Sequence, residues 1–196
     1  AANEETLRPG LRQLRARVMA RVVARDLAGL ADLAEVTETM TTLADVAVEH
    51  AAAVLMARLV DRHGTPRSAA GEAQALIVIG MGKLGGRELN VSSDIDLIYV
   101  YEEDGETDGT VPTSAHEFFA LVAKKLYMLI GETTEDGFVF RVDLMLRPNG
   151  SSGPPVVSLG MLEDYLQVQG REWERFAWLK SRVVAPRAAV ASGRAL

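Results

Sequence analysis

From about Leu7 to Leu30 apolar residues return at helical spacing (Leu7, Leu11, Leu14, Val18, Val22), with Arg8, Arg12, Arg15 and Arg25 largely on other faces. This is the pattern of an amphipathic helix, and its arginines read as a solvated face. A second, Ala-rich helical pattern runs from about Ala31 to Arg62 and stops at His63-Gly64-Thr65-Pro66, a glycine-then-proline terminator. Residues 1 to 64 are therefore expected to form two or three helices, and 65 to 74 a linker. The period then changes. An apolar strand, Ala75 to Ile79, enters a glycine-rich turn, Gly80 to Gly86, with a helix expected near Leu84, and Ser92-Ser93-Asp94-Ile95-Asp96 leads into a second apolar strand ending at Tyr101.

Downstream, Glu102 to Gly109 is acidic and without periodicity, and reads as a surface loop. It lacks the EF-hand spacing of a calcium loop. Ser114 with Glu117 three residues later forms a capping box. The helix it opens carries one apolar stripe (Phe118, Leu121, Val122, Leu126, Leu129, Ile130), expected to pack on the sheet, with Lys124 and Lys125 on its wet side. After the Asp136-Gly137 turn a strand is expected in which Phe138, Phe140, Val142, Leu144 and Leu146 form the core face. Val139, Arg141, Asp143, Met145 and Arg147 form the other. Pro148 to Pro155 is a turn region. Ser158 is expected to cap a helix reaching about Val168. Arg171 to Val184 is expected to form another helix, with Trp173, Phe176, Ala177 and Leu179 inward. The whole reads as a mixed α/β (α+β) chain: a helical segment over 1–70 and a sheet-containing domain over 71–196.

Composition narrows the function. At 196 residues and 48% apolar, the chain can bury a substantial core. It has no cysteine, so disulfides and thiolate metal sites are excluded and any metal must use oxygen or imidazole. His50 and His63 have no ligand pattern around them and read as solvated or hydrogen-bonded. With no apolar run of membrane-spanning length and no signal peptide, the chain is expected to be soluble and cytoplasmic, with no membrane partner. It opens Ala-Ala-Asn and stops at Arg194-Ala195-Leu196 within a helical pattern, the expectation for a fragment of a longer polypeptide. The net charge of −6 is concentrated in residues 71 to 196, which carry 18 acidic against 12 basic residues. That balance argues against a nucleic-acid partner and suits a magnesium-chelated nucleotide.

The candidate chemistry lies between Ala75 and Tyr101. Glycines at 80, 82, 85 and 86 let backbone amides approach an anionic group closely, and Lys83 and Ser93 flank them, which suits phosphate. Asp94 and Asp96, two apart at a strand start, share one face, where like charges repel without a cation. For the turn and the carboxylates to meet one ligand, the two strands should run antiparallel. Asp143 is the natural third carboxylate, its charge costly on a half-buried strand unless paired or metal-bound. A local Arg141–Asp143 ion pair is the competing account. Arg141 and Arg147 are candidate phosphate contacts. Two acids on one strand and a third on another would hold one or two Mg²⁺, with Asp143 also able to accept a proton from a nucleophile.

Two rivals fit less of the sequence. Gly80 to Gly85 satisfies G-x-G-x-x-G after a strand, with Glu102 or Glu103 about 20 residues on, the dinucleotide fingerprint. Only 14 residues separate Gly80 from Ile95, which cramps a parallel crossover, and the fingerprint leaves Asp94 and Asp96 unexplained. A P-loop requires Gly-Lys-Ser/Thr at a distance where none stands.

Residues 80 to 98, GMGKLGGRELNVSSDIDLI, together with 141 to 150, RVDLMLRPNG, and 169 to 177, QGREWERFA, resemble the bifunctional glutamine synthetase adenylyltransferase/adenylyl-removing family. The resemblance covers about Ile77 to Val184. It implies a nucleotidyltransferase domain like the DNA polymerase beta palm and gives Asp94, Asp96 and Asp143 metal-binding catalytic roles. The 169–177 and Arg147 to Pro154 stretches resemble the adenylyl-removing half, which implies phosphorolysis of adenylylated glutamine synthetase to ADP and unmodified enzyme. It further implies ATP, ADP and phosphate as small ligands and control by the PII signal protein. Polymerase-like families place Gly-Ser at the phosphate turn where this chain has Gly82-Lys83, so the glycine backbone carries the assignment more than Lys83 does. The alternatives are the ATP-dependent adenylylating domain, which shares the triad, and a nucleotide-binding regulatory fragment inactive by itself.

Overall fold

The computed structural model describes residues 4–187. Helix α1 (Glu4–Leu27) buries Leu7, Leu11 and Val22 against α2 (Leu33–His63). Asp32 caps α2, its Oδ1 accepting from the Glu35 amide at 2.8 Å, and Gly64 ends it at φ 84° with its amide donating to Val60 O. Gly64 has a second reason to be glycine: a Cβ there would stand 2.1 Å from the Gly109 nitrogen.

That contact revises two expectations. The segment read as a linker contains strand β1 (Pro66–Arg67). The segment read as a plain acidic loop contains β4 (Glu106–Thr107), and the two pair antiparallel. Asp108 accepts from the Thr65 amide at 2.7 Å and pairs with Arg67. Two-residue strands have no periodicity of their own; their partners lie some forty residues away, so no local pattern announces them.

The central sheet has the order β5-β3-β2-β7. Strands β2 (Ile77–Met81) and β3 (Ile95–Tyr101) are antiparallel, as expected, and β7 (Arg182–Ala185) adds antiparallel to the free side of β2. On the other side, β5 (Val142–Asp143) and β6 (Val157–Ser158) lie end to end along β3, both parallel to it, so the sheet is mixed. The antiparallel return of β3 excludes the parallel unit that a dinucleotide fingerprint requires.

Alternation along β2 and β3 divides the core. Val78, Leu97, Tyr99 and Tyr101 face α2 and α4 (Ala115–Gly131), where Phe118, Val122, Leu126, Leu129 and Ile130 are buried. Each large apolar side chain buried there contributes about 1.5–3 kcal/mol. Ser114 caps α4 as its sequence predicts, accepting from the Glu117 amide. Leu121 is the exception in the predicted stripe and is exposed. Lys124 is exposed, while Lys125 reaches Glu4 of α1 at 3.3 Å. Ile77, Ile79, Met81, Ile98 and Val100 face the opposite way, onto Leu162 and Leu166 of α5 (Leu159–Val168) and onto Trp178.

Three further expectations are corrected. Arg12 is not solvated: it is 2% exposed and its guanidinium donates to the carbonyls of Arg8, Leu129, Glu132 and Gly137, binding α1 to the end of α4. Arg15 lies over the Phe138 ring, 4.7 Å from its centroid. The strand expected over 138–147 narrows to Val142–Asp143, and Val139, assigned to the polar face, is buried. Finally, the helix expected over 171–184 is α6 (Glu172–Ala177), one 3-10 turn (Trp178–Lys180) and then β7. Trp173, Phe176 and Leu179 point outward, 53%, 74% and 74% exposed. The helical pattern at the chain's end lies outside the described residues. Among the described residues no helix is long and apolar enough to cross a membrane.

Candidate active site

The site forms where β2 ends and β3 begins, because antiparallel pairing sets Met81 opposite Asp96. Between them the helix expected near Leu84 is a single turn, α3 (Gly82–Gly85), so its dipole is small. Gly82 enters it at φ 56°, and the Gly86 amide closes it onto Gly82 O at 2.9 Å. The chain then returns through a turn organised by Asn90, whose Oδ1 accepts from the Ser92 amide and from the Ser92 and Ser93 hydroxyls. The Ile95 amide donates to Arg141 O, and β5 continues alongside with Asp143 opposite Asp96.

Asp96 and Asp143 therefore share the face that carries Ile98 and Val100. Asp96 Oδ2 lies 3.0 Å from where a Cβ on Gly82 would stand, so the carboxylate lies over the glycine turn. Burial, then the charges of Asp143 and Asp94, push the Asp96 carboxyl above the usual aspartate range, with its own backbone and Lys83 pulling the other way. Asp94, just before β3, pairs with Arg141 at 2.5 Å, and Arg141 also donates to Ser92 O at 2.7 Å. The alternative Arg141–Asp143 pair is thus replaced by Arg141–Asp94. Asp143 Oδ1 accepts from the Met145 amide at 2.7 Å. With Asp94 and Asp143 engaged in this way, no three His, Asp or Glu side chains among the described residues converge at metal-ligand distance. Their mutual repulsion at Asp96 acts over a longer range than coordination does.

The remaining sequence candidates divide. Lys83 is exposed on the turn and acts electrostatically on Asp96. Gly85 is packed under the Lys180 carbonyl, which a Cβ would meet at 2.0 Å, and Gly86 lies beside Glu88. Gly80 faces the other side of the sheet, where a Cβ would strike Leu84 and Val184 at 2.8 Å, so its role is packing. Ser93 is held by Asn90 through its hydroxyl. Arg147 spans its own loop, donating to Leu144 O at 2.7 Å and Gly153 O at 3.4 Å, and is not gathered with the carboxylates.

A family model described as glutamate-ammonia ligase adenylyltransferase matches residues 1–194. The chain belongs to this family. It is 59% identical over 194 residues to the bifunctional glutamine synthetase adenylyltransferase/adenylyl-removing enzyme of Burkholderia mallei, covering 98% of this chain and 21% of that protein. The protein of the same name from Aromatoleum aromaticum is 58% identical over 183 residues, 93% of this chain and 20% of the relative. That from Thioalkalivibrio sulfidiphilus is 51% identical over 185 residues, 94% and 19%. The chain thus spans about a fifth of the length of these relatives.

In this member of the glutamate-ammonia ligase adenylyltransferase family, the glycine turn is also braced from behind by residues the sequence did not single out. Asp45 of α2 pairs with Arg182 of β7 at 2.5 Å and with Arg87, just after the turn, at 3.3 Å. Arg87 in turn pairs with Glu38. The available signal was a lone carboxylate in the apolar run Leu43-Ala44-Asp45-Val46-Ala47-Val48.

Proposed function

We propose that this chain is the nucleotidyltransferase unit that removes AMP from adenylylated glutamine synthetase by phosphorolysis. The observation that carries the reading is the placement of Asp96 opposite Asp143 over a glycine turn, in a chain whose relatives are named for adding and removing this adenylyl group. A phosphate oxygen attacks the phosphorus of the tyrosine-bound AMP. The new P–O bond makes ADP, the tyrosine O–P bond breaks, and the tyrosine oxygen leaves to be protonated. Backbone amides of the Gly82–Gly86 turn and the Lys83 ammonium bind non-reacting phosphate oxygens. Asp143 accepts the proton shed by the attacking phosphate, and Arg141 balances Asp94 until ligand arrives.

The donor set fits a hard divalent cation: carboxylate oxygens without thiolates, Asp96 and Asp143 in register on neighbouring strands, with burial and then the neighbouring carboxylates pushing the Asp96 carboxyl above its ordinary range. Mg²⁺ held by Asp96, Asp143 and Asp94 would supply charge stabilisation to the phosphoryl oxygens. The cytoplasm, the PII protein and the ATP, ADP and phosphate pools belong to the same reading through family resemblance.

The second reading is ATP-dependent adenylylation, favoured by the relatives' names, which carry both activities. Incubation with adenylylated or unmodified glutamine synthetase, Mg²⁺ and either phosphate or ATP separates them. ADP formed only from the adenylylated protein with phosphate supports removal; pyrophosphate formed from ATP supports addition. Nucleotide binding without turnover in either direction supports a regulatory module.

A further inference from the structure

Asp45 sits in the middle of α2 among Met40, Leu43, Ala44, Ala47 and Val48, all 4% exposed or less, and its own side chain is 12% exposed. A carboxylate in such surroundings is costly unless it is paired. Its two partners come from opposite ends of the site scaffold. Arg182, the first residue of β7, is the register partner of Gly80 and donates through Nε to Leu84 O, in the middle of α3, at 3.2 Å. Its Nη2 reaches Asp45 at 2.5 Å. One guanidinium thus links the helix carboxylate to the backbone of the glycine turn. Arg87 follows the turn at φ 58°, a left-handed conformation that a side chain other than glycine or asparagine rarely adopts without external support. That support is Asp45 together with Glu38. Lys180, two residues before Arg182, lays its carbonyl on Gly85 and its ammonium on Glu88 at 2.8 Å.

We propose that Asp45 is a positioning residue: through Arg182 on one side and Arg87 on the other it holds the Gly82–Gly86 backbone where its amides meet the nucleotide phosphate. The proposal rests on the nucleotidyltransferase reading for its ligand, and on the hydrogen-bond geometry alone for its effect on the turn. It makes α2, a helix that contributes no group to the carboxylate cluster, a determinant of phosphate affinity.

The test uses Asp45→Asn, Arg182→Gln and the double variant, in the longest native polypeptide that contains this chain. Three quantities are read: the Kd of Mg·ADP, the KM for phosphate and kcat in phosphorolysis, and amide hydrogen exchange in the ligand-free protein. Asp45→Asn is expected to weaken Mg·ADP and raise the phosphate KM by about tenfold, with kcat within about threefold, the pattern of lost binding geometry. Exchange should accelerate at residues 82–88 and stay unchanged at 118–130 of α4. The double variant should be no weaker than the worse single one, because both act on the same link. A wild-type Kd and wild-type exchange at 82–88 in Asp45→Asn overturns the proposal. So does a loss spread over α4 with kcat falling alongside, which marks a general structural role. If the wild type neither turns over glutamine synthetase nor binds Mg·ADP, the functional reading has failed. Exchange at 82–88 then decides Asp45 by itself.

Discussion

Asp96 on β3 faces Asp143 on β5 across a parallel pair, and burial, then the charges of Asp143 and Asp94, push the Asp96 carboxyl above the usual aspartate range where it lies over the glycine turn. Replacing Asp96 by Asn removes a like charge from a half-buried site. Turnover is expected to fall by about 10³ or more while the melting temperature holds or rises. The pH dependence has a definite sign. The folded chain keeps the Asp96 proton above the pH at which the unfolded chain sheds it. Metal-free stability should therefore fall as pH rises from the ordinary aspartate value through the raised one. In Asp96→Asn that fall should be absent, which urea titrations across this acid range will read.

The same carboxylates imply a response to cation. Mg²⁺ should stabilise the wild type by RT ln(1 + [Mg²⁺]/Kd), about 2.7 kcal/mol at a hundredfold excess over Kd, and raise its melting temperature accordingly. Asp96→Asn should lose most of that increment. Equal stabilisation of both proteins, measured by calorimetry with and without EDTA, would remove the metal from this site.

Arg12 connects the first helix to the end of α4 and the turn beyond it through three carbonyls, those of Leu129, Glu132 and Gly137, with a fourth bond to Arg8 O of its own helix, and no smaller side chain spans them. Arg12→Ala should cost about 3 kcal/mol in denaturant unfolding by leaving buried acceptors without donors. Arg12→Lys should recover less than half, since an ammonium has three donors and no planar fork. Its catalytic effect should follow the loss of folded protein, measured as unchanged kcat per folded molecule.

Gly85 is the seat of the Lys180 carbonyl. Backbone cannot yield as a flexible side chain does, so Gly85→Ala should unseat the 178–180 turn. It should reduce phosphate affinity about as much as a displaced turn would, on the order of tenfold or more. Gly71→Ala is the comparison for a glycine with open space but a positive φ of 82°; it should cost stability without touching phosphate binding.

Much of this site is legible in the sequence because its parts are adjacent in the chain. The spacing from Gly80 to Ile95 cramps a parallel crossover and so favours the antiparallel return that brings Asp96 back to the glycines. The step from Val142 to Asp143 also places the carboxylate on the correct face, although only those two residues pair. What was hidden depends on distant partners. Asp45 is 42 residues from Arg87 and 137 from Arg182, so its lone charge in an Ala/Val run gave no hint of what it touches. Arg182–Ala185 follows a helical apolar pattern without a break, and it becomes a strand because β2 offers an unpaired edge. The apolar spacing of Trp173, Phe176 and Leu179 predicts one buried helical face, but α6 ends at Ala177, Leu179 lies in the 3-10 turn after it, and all three side chains are exposed.

The place of β7 in the sheet also bears on how the chain is made. β2 is central, yet the strand that covers its second edge is translated about 100 residues later, some 5–20 s at ordinary elongation rates. Throughout that interval Ile77–Met81 offers bare backbone donors and acceptors on an apolar strand, the template on which wrong pairings start. A ribosome that stalls between Tyr101 and Arg182 would leave this edge open, and its nascent product should be among the first clients of a holding chaperone.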